Sequence, residues 1–125
     1  MSQRPLILVL DHNQRNLTLL KQFLDEQAFD ILAISTLEDF ESVLDHVHHF
    51  ALALIDISGF DRRIWIICEK FSAEGVPLLV ISPQQMRYLQ QQSLAHGAKG
   101  VLFKPLSMPE LITVIKNLMR PIKDD

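Results

Sequence analysis

This chain predicts a doubly wound α/β sheet, on the strength of three observations. Short apolar runs (LILVL, ALALI, PLLVI and GVLF) alternate with longer stretches whose apolar residues recur at helical spacing. The runs are apolar at nearly every position, as parallel strands buried on both faces must be. Each of the four also ends in a residue with chemical potential: Asp11, Asp56, Ser82 and Lys104. In such an open sheet, ligands bind just outside the carboxyl ends of the strands. Two carboxylates, a hydroxyl and an ammonium are therefore delivered to one edge.

The elements follow in order. Leu6–Leu10 is the first strand. Asn13 can cap a helix with Leu17, Leu20, Phe23 and Leu24 on its apolar side and Lys21 and Asp25 on its wet side. Phe29–Ser35 is the second strand, less uniformly apolar, as suits a sheet edge. Thr36 caps a second helix carrying Phe40, Val43, Leu44 and Val47, with Asp39 in its first turn. Ala51–Ile55 is the third strand. After the Ser58–Gly59 break, Asp61 can cap a helix burying Ile64, Trp65, Ile67, Cys68 and Phe71. Leu78–Ile81 is the fourth strand, Pro83–His96 a glutamine-rich helix ended by Gly97, and Val101–Phe103 a short fifth strand. Ser107 to Glu110 is a capping box with Pro109 in the first turn, opening a last helix through Leu111, Ile112, Ile115 and Leu118. Right-handed crossovers then put helices on both faces.

Composition narrows the class. At 125 residues, residues 1–125 suffice for a single domain with one core. Forty-eight per cent hydrophobic and 22% charged residues fit a globular protein rather than a disordered one. A net charge of −3 argues against a broad nucleic-acid footprint. A single cysteine, Cys68, excludes an internal disulfide and suits a reducing compartment. Neither a signal peptide nor a membrane-spanning stretch is legible, so the expected location is cytoplasmic.

In the strand order 2-1-3-4-5 the first and third strands are neighbours at the switch point, which sets Asp11 beside Asp56. Carboxylates that close repel unless a proton or cation intervenes. A hard dication such as Mg²⁺ suits oxygen ligands. A carboxylate can also act as a nucleophile and carry a phosphoryl group, whose transfer needs a cation and a hydroxyl donor. Lys104 and Ser82 end the adjacent strands.

With these residues in place, the chain resembles a receiver domain of two-component response regulators over essentially its whole length. The segments LILVLDHNQRNLTLL, LALIDIS, VPLLVIS and HGAKGVLFKP carry the resemblance. It implies a flavodoxin-like fold with five helices. It casts Asp56 as phosphoacceptor, Ser82 as switch hydroxyl, Lys104 as the conserved-type lysine and Asp11 as first residue of the acidic pair. The Ser58 backbone carbonyl would join Asp11 and Asp56 as a metal ligand, and the Lys104–Pro105 bond matches one often cis in the family. The resemblance further implies a stand-alone signalling domain rather than an enzyme, served by a histidine kinase or phosphotransfer protein and acting on a downstream protein. Self-association into a homodimer stays open.

Four departures set the chain apart. His12 stands where the second acid is usual, so Mg²⁺ should bind weakly; a hydrogen-bonded imidazole partly filling the metal pocket is expected. The acceptor loop reads SGFDRRI, Pro83 follows Ser82, and Val101 occupies the aromatic switch position. The departures support a competing reading, a pseudo-receiver that binds partners without phosphorylation. Signalling is then expected through fourth- and fifth-helix contacts that change little on phosphorylation. A flavodoxin-like cofactor binder is disfavoured by the lack of a glycine-rich phosphate loop.

Each site residue also has a plain structural explanation: Asp11 and Ser82 as helix caps, Asp56 as a turn residue, Lys104 as a solvated lysine. The functional reading rests on all four falling in register. His46, His48 and His49 read as the close of the second helix rather than a metal cluster, and Cys68 as core. Trp65 is left open between core and surface. The run Gln84, Gln85, Gln90, Gln91 and Gln92 reads as an uncharged solvated helix face.

Overall fold

The computed structural model describes residues 4–83 and 87–121. Five parallel strands lie in the order β2-β1-β3-β4-β5: β1 (Leu6–Leu10), β2 (Asp30–Ile34), β3 (Leu52–Asp56), β4 (Leu78–Ser82) and β5 (Ala98–Phe103). Between and after them run α1 (Gln14–Glu26), α2 (Leu37–Ser42), α3 (Arg63–Ala73), α4 (Arg87–Ala95) and α5 (Met108–Leu118). Gln84 and Gln85, expected at the start of the fourth helix, lie outside the described residues.

The uninterrupted apolar runs are explained by two cores, one on each face. Leu8, Leu10, Ala53, Ile55, Leu78 and Val80 point to the side covered by Phe40, Ile64, Ile67, Cys68 and Phe71. Their alternates Ile7, Val9, Leu52, Leu54, Leu79 and Ile81 meet Leu17, Leu20, Leu24, Leu111 and Ile115. Period-two strands that are apolar throughout can only be satisfied this way. Each fully buried aliphatic side chain contributes roughly 1.5–3 kcal/mol. Edge position shows in β2, whose Asp30 and Leu32 are exposed. The expected caps form: the side-chain oxygens of Asn13, Thr36 and Ser107 accept from the backbone N–H groups of Asn16, Asp39 and Glu110. Asp61 accepts from the Arg63 N–H at the start of α3, and its carboxyl is held low by the Arg63 guanidinium.

β5 begins at Ala98, three residues before the expected Val101, and Arg62 rather than Asp61 holds the N-cap position of α3; one element departs further from its reading. The single helix expected from Thr36 through Val47 stops as α-helix at Ser42 and continues as a 3₁₀ segment, Val43–His49, with non-helical torsions at His46 (φ −122°, ψ 21°). The run VLDHVHH contains no strong helix former after Leu44. Tertiary contacts then decide the geometry. Arg120, just beyond α5, donates from Nη2 to the Val47 carbonyl at 2.7 Å and from Nε to the Phe50 carbonyl at 2.9 Å. Its own N–H reaches the Ala51 carbonyl. Arg120→Met is expected to lower stability by about 1–3 kcal/mol in urea unfolding, because buried carbonyls lose charge-assisted donors.

Candidate functional site

Pairing of β1 with β3 aligns Leu10 with Ile55, so Asp11 and Asp56 leave the sheet side by side. Both are buried, 3% and 2% exposed. Each turns back on its own backbone: Asp11 Oδ1 accepts the Asn13 N–H at 2.8 Å, and Asp56 Oδ1 accepts the Ser58 N–H at 2.9 Å. Such two-residue Asx turns follow from an aspartate at the end of a strand. They leave the two Oδ2 atoms for other partners. Asp56 Oδ2 receives the Lys104 ammonium at 2.6 Å, while Asp11 Oδ2 is buried with no hydrogen-bond partner among the described residues.

Charge explains the state of Asp11. Burial pushes its carboxyl above the usual range; the Asn13 N–H pulls it down, the Asp56 charge raises it and the Lys104 charge lowers it. One lysine thus serves two desolvated carboxylates. The Lys104–Pro105 peptide bond is cis.

Asp11, Asp56 and Lys104 line one cavity of about 290 Å³ whose apolar wall includes Leu19, Leu20, Ile81, Leu106 and Met108. Leu19, Leu106 and Met108 were not singled out by sequence, since nothing marks an apolar helix or loop residue as facing a polar site. Ser82 is fully buried at the end of β4, next in line after Ile81, which pairs with Asp56. Its carbonyl accepts the Lys104 N–H at 3.0 Å, which ties the ends of β4 and β5 together. Ser58, two residues after Asp56, has its hydroxyl buried and without a hydrogen-bond partner among the described residues.

His12 departs from its reading. It is exposed and does not line the cavity with Asp11. Its ring meets Phe60 edge to face at 5.8 Å and presses on Gly59, where a Cβ would come within 3.2 Å. The reason is geometric: the Asx turn at Asp11 points its own side chain inward and sends the next one outward toward the 59–60 loop. Gly59, at φ +84°, keeps that loop close.

The donor set suits a hard dication. The two carboxylates of Asp11 and Asp56 are oxygen donors, and the buried Asp11 Oδ2, without a hydrogen-bond partner among the described residues, is the kind of atom a cation satisfies. The other candidate ligands do not assemble: His49 lies at a tilt to both His46 and His48 at the surface, and no group of three metal-binding side chains occurs among the described residues. Cys68 is core, its thiol pushed up to about 12 by burial and then by Glu69. Trp65 is half-buried and stacks on His96 at 5.3 Å.

No family model matches the chain. It is 28% identical to the transcriptional regulatory protein AruR of Pseudomonas aeruginosa over 98% of its length, spanning 52% of that protein. It is 22% identical to the polar-differentiation response regulator DivK of Brucella ovis, over 90% of this chain and 94% of that one. Among solved structures, a CheY-like receiver domain protein from Methanospirillum hungatei superposes with a TM-score of 0.78 at 24% identity, covering 92% of this chain and 93% of that one. A two-component response regulator from Clostridium difficile gives 0.78 at 22%, covering 91% and 94%. No helix among the described residues is long and apolar enough to cross a membrane. With its sheet order, its paired aspartates and a similarity that runs along nearly the whole chain, this protein has the fold of the receiver domains and resembles response regulators of two-component phosphorelays.

Proposed function

We propose that residues 1–125 act as one phosphoacceptor unit in which Asp56 takes a phosphoryl group from a phosphohistidine of a histidine kinase or phosphotransfer protein. The observation that carries this reading is the Lys104–Asp56 contact of 2.6 Å beside a second buried carboxylate in an accessible cavity. An Asp56 oxygen attacks phosphorus, the P–N bond of the donor breaks, and the leaving imidazole takes up a proton. Lys104, already held at the acceptor, then pairs with a phosphoryl oxygen, and the Ser82 hydroxyl can donate to another. Asp11, Asp56 and the Ser58 carbonyl would hold Mg²⁺, which when bound neutralises the carboxylates and the transferring oxygens. The Ser58 N–H keeps the acceptor carboxylate oriented. The module has no chemistry beyond accepting and losing this group, and its output is a contact with a downstream protein.

Incubation with acetyl phosphate and Mg²⁺ is expected to add one phosphoryl group, read as an 80-dalton gain in intact mass spectrometry, roughly the mass of that group. Asp56→Asn should gain nothing. A parent chain that stays unmodified by acetyl phosphate, and binds no beryllofluoride, would replace this reading with that of a phosphorylation-independent interaction module. His12, turned away from the acid pair, is the observation that favours that second reading.

A further inference from the structure

Outside the acceptor cavity, a groove of about 710 Å³ runs between α3 and α4 and starts at Ile57, one residue past Asp56. Its walls are aromatic: Phe60 from the acceptor loop, Trp65 from α3, Tyr88 from α4 and the His96 ring. Tyr88 and Ile66 are 60% and 57% exposed, large apolar surfaces left open to solvent.

The groove is a firm structure rather than a gap. His96 stacks on Trp65 with planes 16° apart, and its Nδ1 meets the Glu69 carboxylate. Next to it, Gly97 lies so close to Ser72 that a Cβ would come within 2.6 Å of the serine side chain. These contacts fasten the carboxyl end of α4 to α3.

The uncommitted charge around the groove is positive. Both nearby carboxylates are engaged, Asp61 by Arg63 at 2.9 Å and Glu69 by His96. Arg62, in the groove wall, and Arg87, beside Tyr88, have no ion-pair partner among the described residues. Both are exposed. The chain as a whole carries −3, so an uncommitted guanidinium in the groove wall, with Arg87 next in sequence to the groove residue Tyr88, is a local reversal of sign. Screening over about 8 Å at physiological salt makes the local charge, not the net charge, the one a docking segment meets.

We propose that the α3–α4 groove is a docking site for an acidic peptide segment of a partner protein, with an aromatic or large aliphatic side chain seated between Trp65 and Tyr88 and its carboxylates facing Arg62 and Arg87. Arginine and aromatic residues together are the composition of interface hot spots. The charge pairs would govern association rate and salt dependence, and the apolar insertion would govern residence.

A random twelve-residue peptide display library panned on the intact chain, with counter-selection on Arg62→Glu, tests this. Enriched peptides should combine at least two acidic residues with an aromatic or large aliphatic one. A representative synthetic peptide should perturb Trp65 emission. It should bind at least tenfold more weakly to Arg62→Glu and at least fivefold more weakly to Tyr88→Ala, and lose affinity as salt rises. Circular dichroism and unchanged acetyl phosphate labelling of both variants establish that they fold. The proposal is overturned if no peptides enrich, if basic peptides enrich, or if both variants bind as the parent does. Light scattering that shows a dimer lost in Tyr88→Ala would overturn it too, by assigning the groove to a second copy of the chain.

Discussion

Lys104→Met is expected to lose at least about 100-fold in the rate of labelling by acetyl phosphate, the order found when one preorganised charge donor is removed. The same substitution strips the only cation from the Asp11–Asp56 pair among the described residues and leaves two desolvated carboxylates facing each other. Breaking a buried ion pair costs about 3–5 kcal/mol; Lys104 is 31% exposed, so water offsets part of this and about 2 kcal/mol is expected at pH 8. The sign with pH follows from which state holds protons. Without the lysine the folded variant favours a protonated carboxyl, so its stability recovers as pH falls. Urea unfolding at pH 8 and pH 5 should show the gap to the parent narrowing at the lower pH. A gap independent of pH would mean that Lys104 acts through packing alone.

Asp11→Asn should move stability the other way. The Asp11 carboxyl is raised above its ordinary value of 3.8, chiefly by burial. A raised carboxyl contributes stability below its unfolded value and loses that contribution as pH climbs through the folded one. Asparagine keeps the Oδ1 acceptor for the Asn13 N–H but carries no charge. Parent and variant should therefore match near pH 3.5 and diverge above it, the variant being more stable by about 1 kcal/mol at pH 7 in the absence of divalent cations. Added Mg²⁺ reverses the order, because binding to the folded parent stabilises it by mass action and the variant has lost a ligand. Thermal melts with chelator and with millimolar Mg²⁺ read both effects. A variant that is less stable in chelator would show that the Asp11 charge is already compensated in the free protein.

These two variants separate what belongs to the acceptor from what belongs to the surface. Neither Lys104 nor Asp11 borders the α3–α4 groove. Peptide docking there should survive both substitutions, while phosphoryl chemistry should not.

Sequence by itself determined the sheet and which polar residues stand at its carboxyl edge. Runs apolar at every position can be buried only by cover on both faces, and strand ends in an open parallel sheet share one edge. Asp11, Asp56 and Lys104, which line one cavity, were therefore legible as neighbours, whereas Ser82 ends the adjacent strand fully buried and does not line that cavity. The caps at Asn13, Thr36 and Ser107 were legible for the same kind of reason, since each is a contact within four residues. Tertiary structure alone decided what depends on direction and on distant partners. Nothing local marks VLDHVHH as 3₁₀; Arg120, more than seventy residues on, takes the carbonyl of Val47. Nor does the sequence state which way His12 faces. The Asx turn at Asp11 and the close approach of Gly59 turn it out toward Phe60, away from the cavity in which its counterpart residue was expected. The groove was likewise invisible, because Trp65, Tyr88, His96 and Arg62 come from separate stretches that only the packing of α4 on α3 brings together.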